Sequence, residues 1–162
     1  MPNWCSNYIY LKGPKEKIQE LWGKIEEQNV FLEVLVPLGE WTFGNSVSSW
    51  GTKWDVDTEG LELDFDEEDE LAEIYGWFDS AWSPPTEAYE TFLTNNPDFS
   101  IEATFYESGL SFIGSWKNFE ELTFEDVEEL LREGCKTPEF LELIEEYGVE
   151  LWEEEEALDT DE

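Results

Sequence analysis

IEATFYESGLSFIGSW, residues 101–116, reads as two strands around a tight turn. Ile101 to Tyr106 and Leu110 to Trp116 are rich in β-branched and aromatic residues. Ser108-Gly109 between them is a hairpin signal, because glycine reaches the backbone conformations that such turns require. Upstream, Ile74 to Ala81 reads as another strand. Ser83-Pro84-Pro85 then launches a helix with Ala88, Tyr89, Phe92 and Leu93 on one face.

Trp4 to Leu11 forms a strand ending at Gly13, and Pro14 opens a helix carrying Ile18, Leu21, Trp22 and Ile25 toward Asn29. Residues 30–36 are a short apolar run stopped by Pro37. The Gly/Ser/Asn-rich stretch from Gly39 to Gly51 reads as loop. Trp54–Val56 and Leu61–Phe65 read as short strands around Glu59-Gly60. The order predicts an α+β fold: an antiparallel-rich sheet of four or five strands, with helices at about residues 14–28 and 85–96 on one face. Ferredoxin-like is the nearest named pattern.

After Asn118 the character changes. Thr123 with Asp126 predicts a capped helix with Phe124, Val127, Leu130 and Leu131 inward. Thr137-Pro138 starts another, with Phe140, Leu141, Leu143, Ile144 and Tyr147 inward and Gly148 as its stop. These signals divide the chain into an α+β domain over 1–117 and an acidic helical extension and tail over 118–162.

Charge dominates the composition. Forty-two acids face eight bases and no histidine, a formal net charge of −34 over 162 residues. Residues 1–24 are net positive, with Lys12, Lys15, Lys17 and Lys24 against Glu16 and Glu20. The rest carries 40 acids against Lys53, Lys117, Arg132 and Lys136. Self-repulsion of this size opposes a compact state. A globule of this mass exposes roughly 8,400 Å², or about one net charge per 250 Å², against about one per 110 Å² on B-DNA. Direct nucleic-acid binding is therefore not expected. An aromatic content of 16% marks a chain that folds rather than a disordered one. Cys5 and Cys135 form no ligand motif and read as reduced thiols. The N-terminal residues have no basic, apolar leader pattern, and no apolar run reaches membrane-spanning length. A cytoplasmic protein that does not engage membranes is expected.

Several phrases carry a family resemblance: Met1-Pro2-Asn3-Trp4-Cys5-Ser6-Asn7, Trp50-Gly51-Thr52-Lys53-Trp54-Asp55, Phe78-Asp79-Ser80-Ala81-Trp82-Ser83-Pro84-Pro85, and Tyr106-Glu107-Ser108-Gly109 with Phe112-Ile113-Gly114. Together, over residues 1 to about 117, they are similar to the YubB-type ferredoxin-like domain of phage and plasmid proteins. The resemblance implies that fold and a mobile-element origin, but no activity. The acidity and the extension after residue 118 depart from the family pattern.

Without histidine, zinc hydrolysis and imidazole acid–base catalysis are excluded in their usual forms, and a serine or cysteine nucleophile lacks its usual base. The run from Asp64 fails as an EF-hand loop, since its sixth position is Asp69 and its twelfth Tyr75. No cofactor or metal is expected, and a non-enzymatic role is favoured. Trp4, Asn7, Trp50, Lys53, Asp55, Asp79 and Trp82 are either a Trp-rich core or a small-ligand pocket. The acids offer a second candidate surface. Glu62, Asp64, Asp66, Glu67, Glu68, Asp69 and Glu70 form one run. Glu125, Glu128 and Glu129, then Glu139, Glu142, Glu145 and Glu146, form helical rows. Ordered rows of carboxylates imitate phosphates. The favoured expectation is a nucleic-acid mimic that occupies a basic DNA- or RNA-binding host protein. The alternatives are an adaptor, a pocket binder, or simple surface adaptation.

Overall fold

The computed structural model describes residues 3–149. Its elements, in chain order, are β1 (Trp4–Pro14), α1 (Lys15–Gln28), α2 (Leu32–Leu35), α3 (Phe43–Trp50), β2 (Leu61–Phe65), β3 (Leu71–Ala81), α4 (Thr86–Asn95), β4 (Ser100–Glu107), β5 (Phe112–Lys117), β6 (Glu120–Glu125), α5 (Val127–Arg132) and α6 (Pro138–Tyr147). The six strands make one antiparallel sheet in the order β2-β3-β1-β4-β5-β6. Among the described residues, no helix is long and apolar enough to cross a membrane.

Alternation along β1 sorts the two faces of the sheet. Cys5, Asn7, Ile9 and Leu11 are buried on one side, while Ser6, Tyr8, Tyr10 and Lys12 point to the other. The first side is sealed by α1 and α4. Ile18 and Ile25 of α1, and Ala88, Tyr89, Phe92 and Leu93 of α4, meet Ile9, Leu11, Ile74 and Ile101 in the main core. Asn29, left-handed at φ 55°, ends α1. Among the described residues, the opposite face is covered mainly over β4–β6, with Tyr147 of α6 reaching across to Trp77 and to the Ser6 carbonyl. Over β4–β6, Ile113 packs with Val127, Leu131, Phe140, Leu143 and Ile144 in a second, smaller cluster.

Four local expectations are overturned. The Gly39–Gly51 stretch contains α3: the Thr42 hydroxyl accepts from the Asn45 N–H at 3.0 Å, and Trp50 is buried with its indole donating to the Val36 carbonyl at 2.9 Å. Trp54–Val56 is not a strand. Residues 120–125 form β6, so the helix expected from Thr123 starts only at Val127, because Asn118 and Phe119 both take positive φ (45° and 77°) and turn the chain back against β5. Thr123 therefore lies within a strand, and Asp126 precedes α5 without a side-chain capping bond. The sheet thus continues past residue 117. Leu141, expected inward, is 42% exposed.

Candidate functional site

The acidic run sits at the edge of the sheet. Glu62 and Asp64 lie on β2, Asp66 to Glu70 form the turn into β3, and all are exposed. The turn is ordered by its own groups: the Asp66 carboxylate accepts from the Glu68 N–H at 3.0 Å. The N-terminal lysines are spent locally. Lys15 donates to the Glu67 carbonyl at 2.9 Å, Lys12 sits opposite Glu73 in register, Lys17 pairs with Asp98, and Lys24 lies 3.7 Å from Glu20. The net-positive start is thus no basic patch.

The second acidic group divides. Glu128 and Glu129 stand exposed on α5 and Glu145 on α6, as expected. Glu125 is exposed too, but on β6. Glu139, Glu142 and Glu146 are exposed as well, and they line the rim of a groove of about 250 Å³ with Glu102, Lys117 and the rings of Tyr8 and Tyr10. The Glu146 carboxylate accepts from the Thr104 hydroxyl at 3.1 Å. Burial raises its pKa above the usual carboxylate range, while Thr104 and Lys117 pull it back. Glu73, on the neighbouring strand, is raised by burial in the same way, with Lys12 opposing.

The sequence reading missed an aromatic floor on this open face. Tyr8 meets Tyr10 (ring centroids 4.9 Å apart) and Trp77 (4.5 Å, edge-on). Tyr75 stacks on Tyr10 at 6.4 Å, and Trp77 touches Tyr147 of α6 at 5.6 Å. Tyr10 and Trp77 remain 45% and 46% exposed. Burial, with Tyr10 and Glu73 alongside, pushes the Tyr8 phenol up to about 12, so it stays neutral. A signal was present. Tyr8-Ile9-Tyr10 and Tyr75-Gly76-Trp77 each repeat an aromatic at the two-residue period of one strand face.

The seven candidate pocket residues do not converge. Trp50 and Asn7 are core residues. The Asn7 amide donates to the Cys5 carbonyl and the Ser80 hydroxyl, both at 2.9 Å. Asp55 anchors α2, accepting from the N–H groups of Phe31, Leu32 and Glu33 at 3.0, 2.8 and 2.9 Å. Trp4 is exposed with its ring 6.0 Å from Trp54, and Asp79 is exposed beside Ser6. Lys53 lies over the Trp54 ring at 4.7 Å. Of the seven, Lys53 and Trp82 line a common cavity, about 270 Å³, with Phe43, Val47 and Thr52.

Cys5 is no ready nucleophile. The Cys5 thiol is fully buried and burial pushes it up to about 12, with the Ser80 hydrogen bond opposing. Cys135 is half-buried, and both cysteines are free. No group of three or more carboxylate or thiol side chains among the described residues is arranged to hold a metal ion. No protein-family model, curated protein or solved structure matches the chain.

Proposed function

We propose that this protein acts without catalysis, presenting fixed carboxylates to a basic DNA- or RNA-binding protein and occupying the groove where that protein holds nucleic acid. One observation carries the reading: among the described residues, the acids of the two candidate groups stand on ordered elements. They project from β2 and its bonded turn, from β6, and from α5 and α6. Residues three and four apart on a helix lie about 5–6 Å apart, so Glu142, Glu145 and Glu146 hold their charges at fixed spacing. Such a field steers a cationic partner at long range and repels nucleic acid itself.

The β-α-β-β-α-β order of the first six sheet and main-helix elements (β1, α1, β2, β3, α4, β4), with strands arranged β2-β3-β1-β4, supports a ferredoxin-like assignment for that part of the chain. With the resemblance of residues 1–117 to the YubB-type domain, it favours a phage or plasmid setting. A host-defence protein is then a natural target, inside the host cytoplasm.

The test is competition. A captured basic partner should be released by DNA and by raising salt from about 50 to 200 mM, the range over which a contact with several phosphates loses about 10³-fold or more. Reversing Glu128, Glu129 and Glu145 to lysine should weaken binding and leave the circular dichroism spectrum unchanged. Binding indifferent to salt or to those reversals would overturn the proposal. The 270 Å³ cavity beside Lys53 and Trp82 favours a second reading, a small apolar ligand. Under it, Val47→Trp would abolish binding by filling the cavity, and salt would have little effect.

A further inference from the structure

We propose that the open aromatic face and the groove beside α6 form a seat for an arginine side chain of the basic partner, a refinement that rests on the function proposed above. Two features meet there that separately say little. Tyr8, Tyr10 and Trp77 present ring faces and edges on an uncovered part of the sheet. Around Tyr8 and Tyr10, Glu102, Glu139, Glu142 and Glu146 face Lys117, four carboxylates against one ammonium, while Trp77 adjoins them through its edge-on contact with Tyr8.

An arginine answers both. Its flat guanidinium lies against an aromatic ring through the ring quadrupole, while its N–H edge meets carboxylates. The ammonium of lysine offers the charge without the plane. Nucleic acid could stack its bases on the same rings, but its phosphates would meet the carboxylate wall. The chain's own residues 150–162 carry eight acids and no base, so they bring the wrong charge to this groove. The 250 Å³ groove is large enough to admit a side chain of this length, and the exposed rings beside it extend the contact to the rest of a basic segment.

The experiment titrates the full chain with octa-arginine, octa-lysine and an octa-citrulline control by calorimetry at fixed ionic strength. Octa-arginine should bind more tightly than octa-lysine, and octa-citrulline should not bind. Tyr10→Leu and Trp77→Leu keep apolar bulk at exposed positions and should each weaken octa-arginine binding by about tenfold, without altering the salt dependence. Glu142→Gln with Glu146→Gln should weaken it and flatten the salt dependence. Lys117→Gln, which removes the internal cation, should tighten it, a gain no structural role predicts. If the leucine variants bind octa-arginine as the parent does while reversal at Glu128 and Glu129 still weakens it, this seat is wrong and the acidic-surface reading survives. Equal affinity for octa-arginine and octa-lysine also overturns the seat. If octa-arginine does not bind the parent at all, both readings fail.

Discussion

The two faces of the sheet are made by the same strands and end in opposite states. On the side under α1 and α4, β1 contributes Ile9 and Leu11, both fully buried, and the neighbouring strands add Ile74 and Ile101. On the other side the intervening residues are Tyr8, Tyr10 and Lys12, facing Tyr75, Trp77 and Glu73 across the β1–β3 register. Among the described residues, that side is closed over β4–β6 by α5 and α6, and over β1 and β3 it is met by Tyr147 alone of α6 and otherwise left open. Aromatics suit a half-covered position, since a phenol or indole keeps its polar atom wet while its ring buries apolar area. Exposed rings in a row still lie above what an ordinary surface needs. The contrast places the main core on one face and leaves the other as the proposed recognition surface.

The sharpest way to break that division is to hollow out each side in turn. Phe31→Ala, in the main core with its ring 5.7 Å from Phe78, should cost about 3–5 kcal/mol in urea denaturation. Phe140→Ala, fully buried in the cluster under α5 and α6, should cost about 3 kcal/mol, the lower end of the same range, because this smaller cluster collapses more easily around the hole. Hydrogen exchange should show the loss confined to β6, α5 and α6, with β1 and β3 still protected. If both variants unfold the whole molecule alike, the two clusters are one cooperative unit.

Lowering the pH should give a smaller effect of opposite sign. Burial raises Glu73 and Glu146, so the folded chain binds protons more tightly than the unfolded one. Their contribution to stability is fully present below the ordinary glutamate pKa of about 4.3 and is lost as pH rises through the raised values. The melting temperature should therefore climb as pH falls through the raised values toward about 4.3, and relief of self-repulsion adds to the climb. Glu146→Gln should flatten the slope. Asp98, lowered by Lys17, acts in the reverse sense, and its loss falls below the ordinary aspartate pKa of about 3.9. The smallest effect belongs to the open face: Tyr10→Leu should move stability by no more than about 0.5 kcal/mol. A large loss would make Tyr10 part of the core rather than of a recognition surface.

Much of the covered face was legible in the sequence. Ile18, Leu21, Trp22 and Ile25 predict α1, Ala88 to Leu93 predict α4, and the Ser108-Gly109 hairpin stands between β4 and β5. What stayed hidden depended on tertiary partners. α3 is poor in helix formers and exists through its Thr42 cap and the burial of Trp50. β6 hid behind a capping pattern, because the turn that creates it places Phe119 at positive φ, where phenylalanine is rare. The candidate site was half legible. Runs of acids are visible in one dimension, but which of them flank a groove depends on how α6 crosses the sheet. Glu102 and Lys117 sit far in sequence from Glu142 and are neighbours only through strand pairing.

The margins of the sheet have a consequence of their own. An unpaired outer strand is a template on which another chain can add. Here the outer strands are β2, with Glu62 and Asp64 exposed, and β6, with Glu120, Glu121 and Glu125 exposed. At neutral pH, two molecules approaching edge to edge along these strands set carboxylates against carboxylates, which opposes lengthening of the six-stranded sheet of the described residues. Near the isoelectric point of about 4.1 that barrier falls. The protonation that steadies a single fold thus removes what keeps one molecule from lengthening the sheet of the next. The pH of greatest thermal stability and the pH of greatest colloidal stability should therefore lie apart, with clear, monomeric solutions at the less thermally stable end.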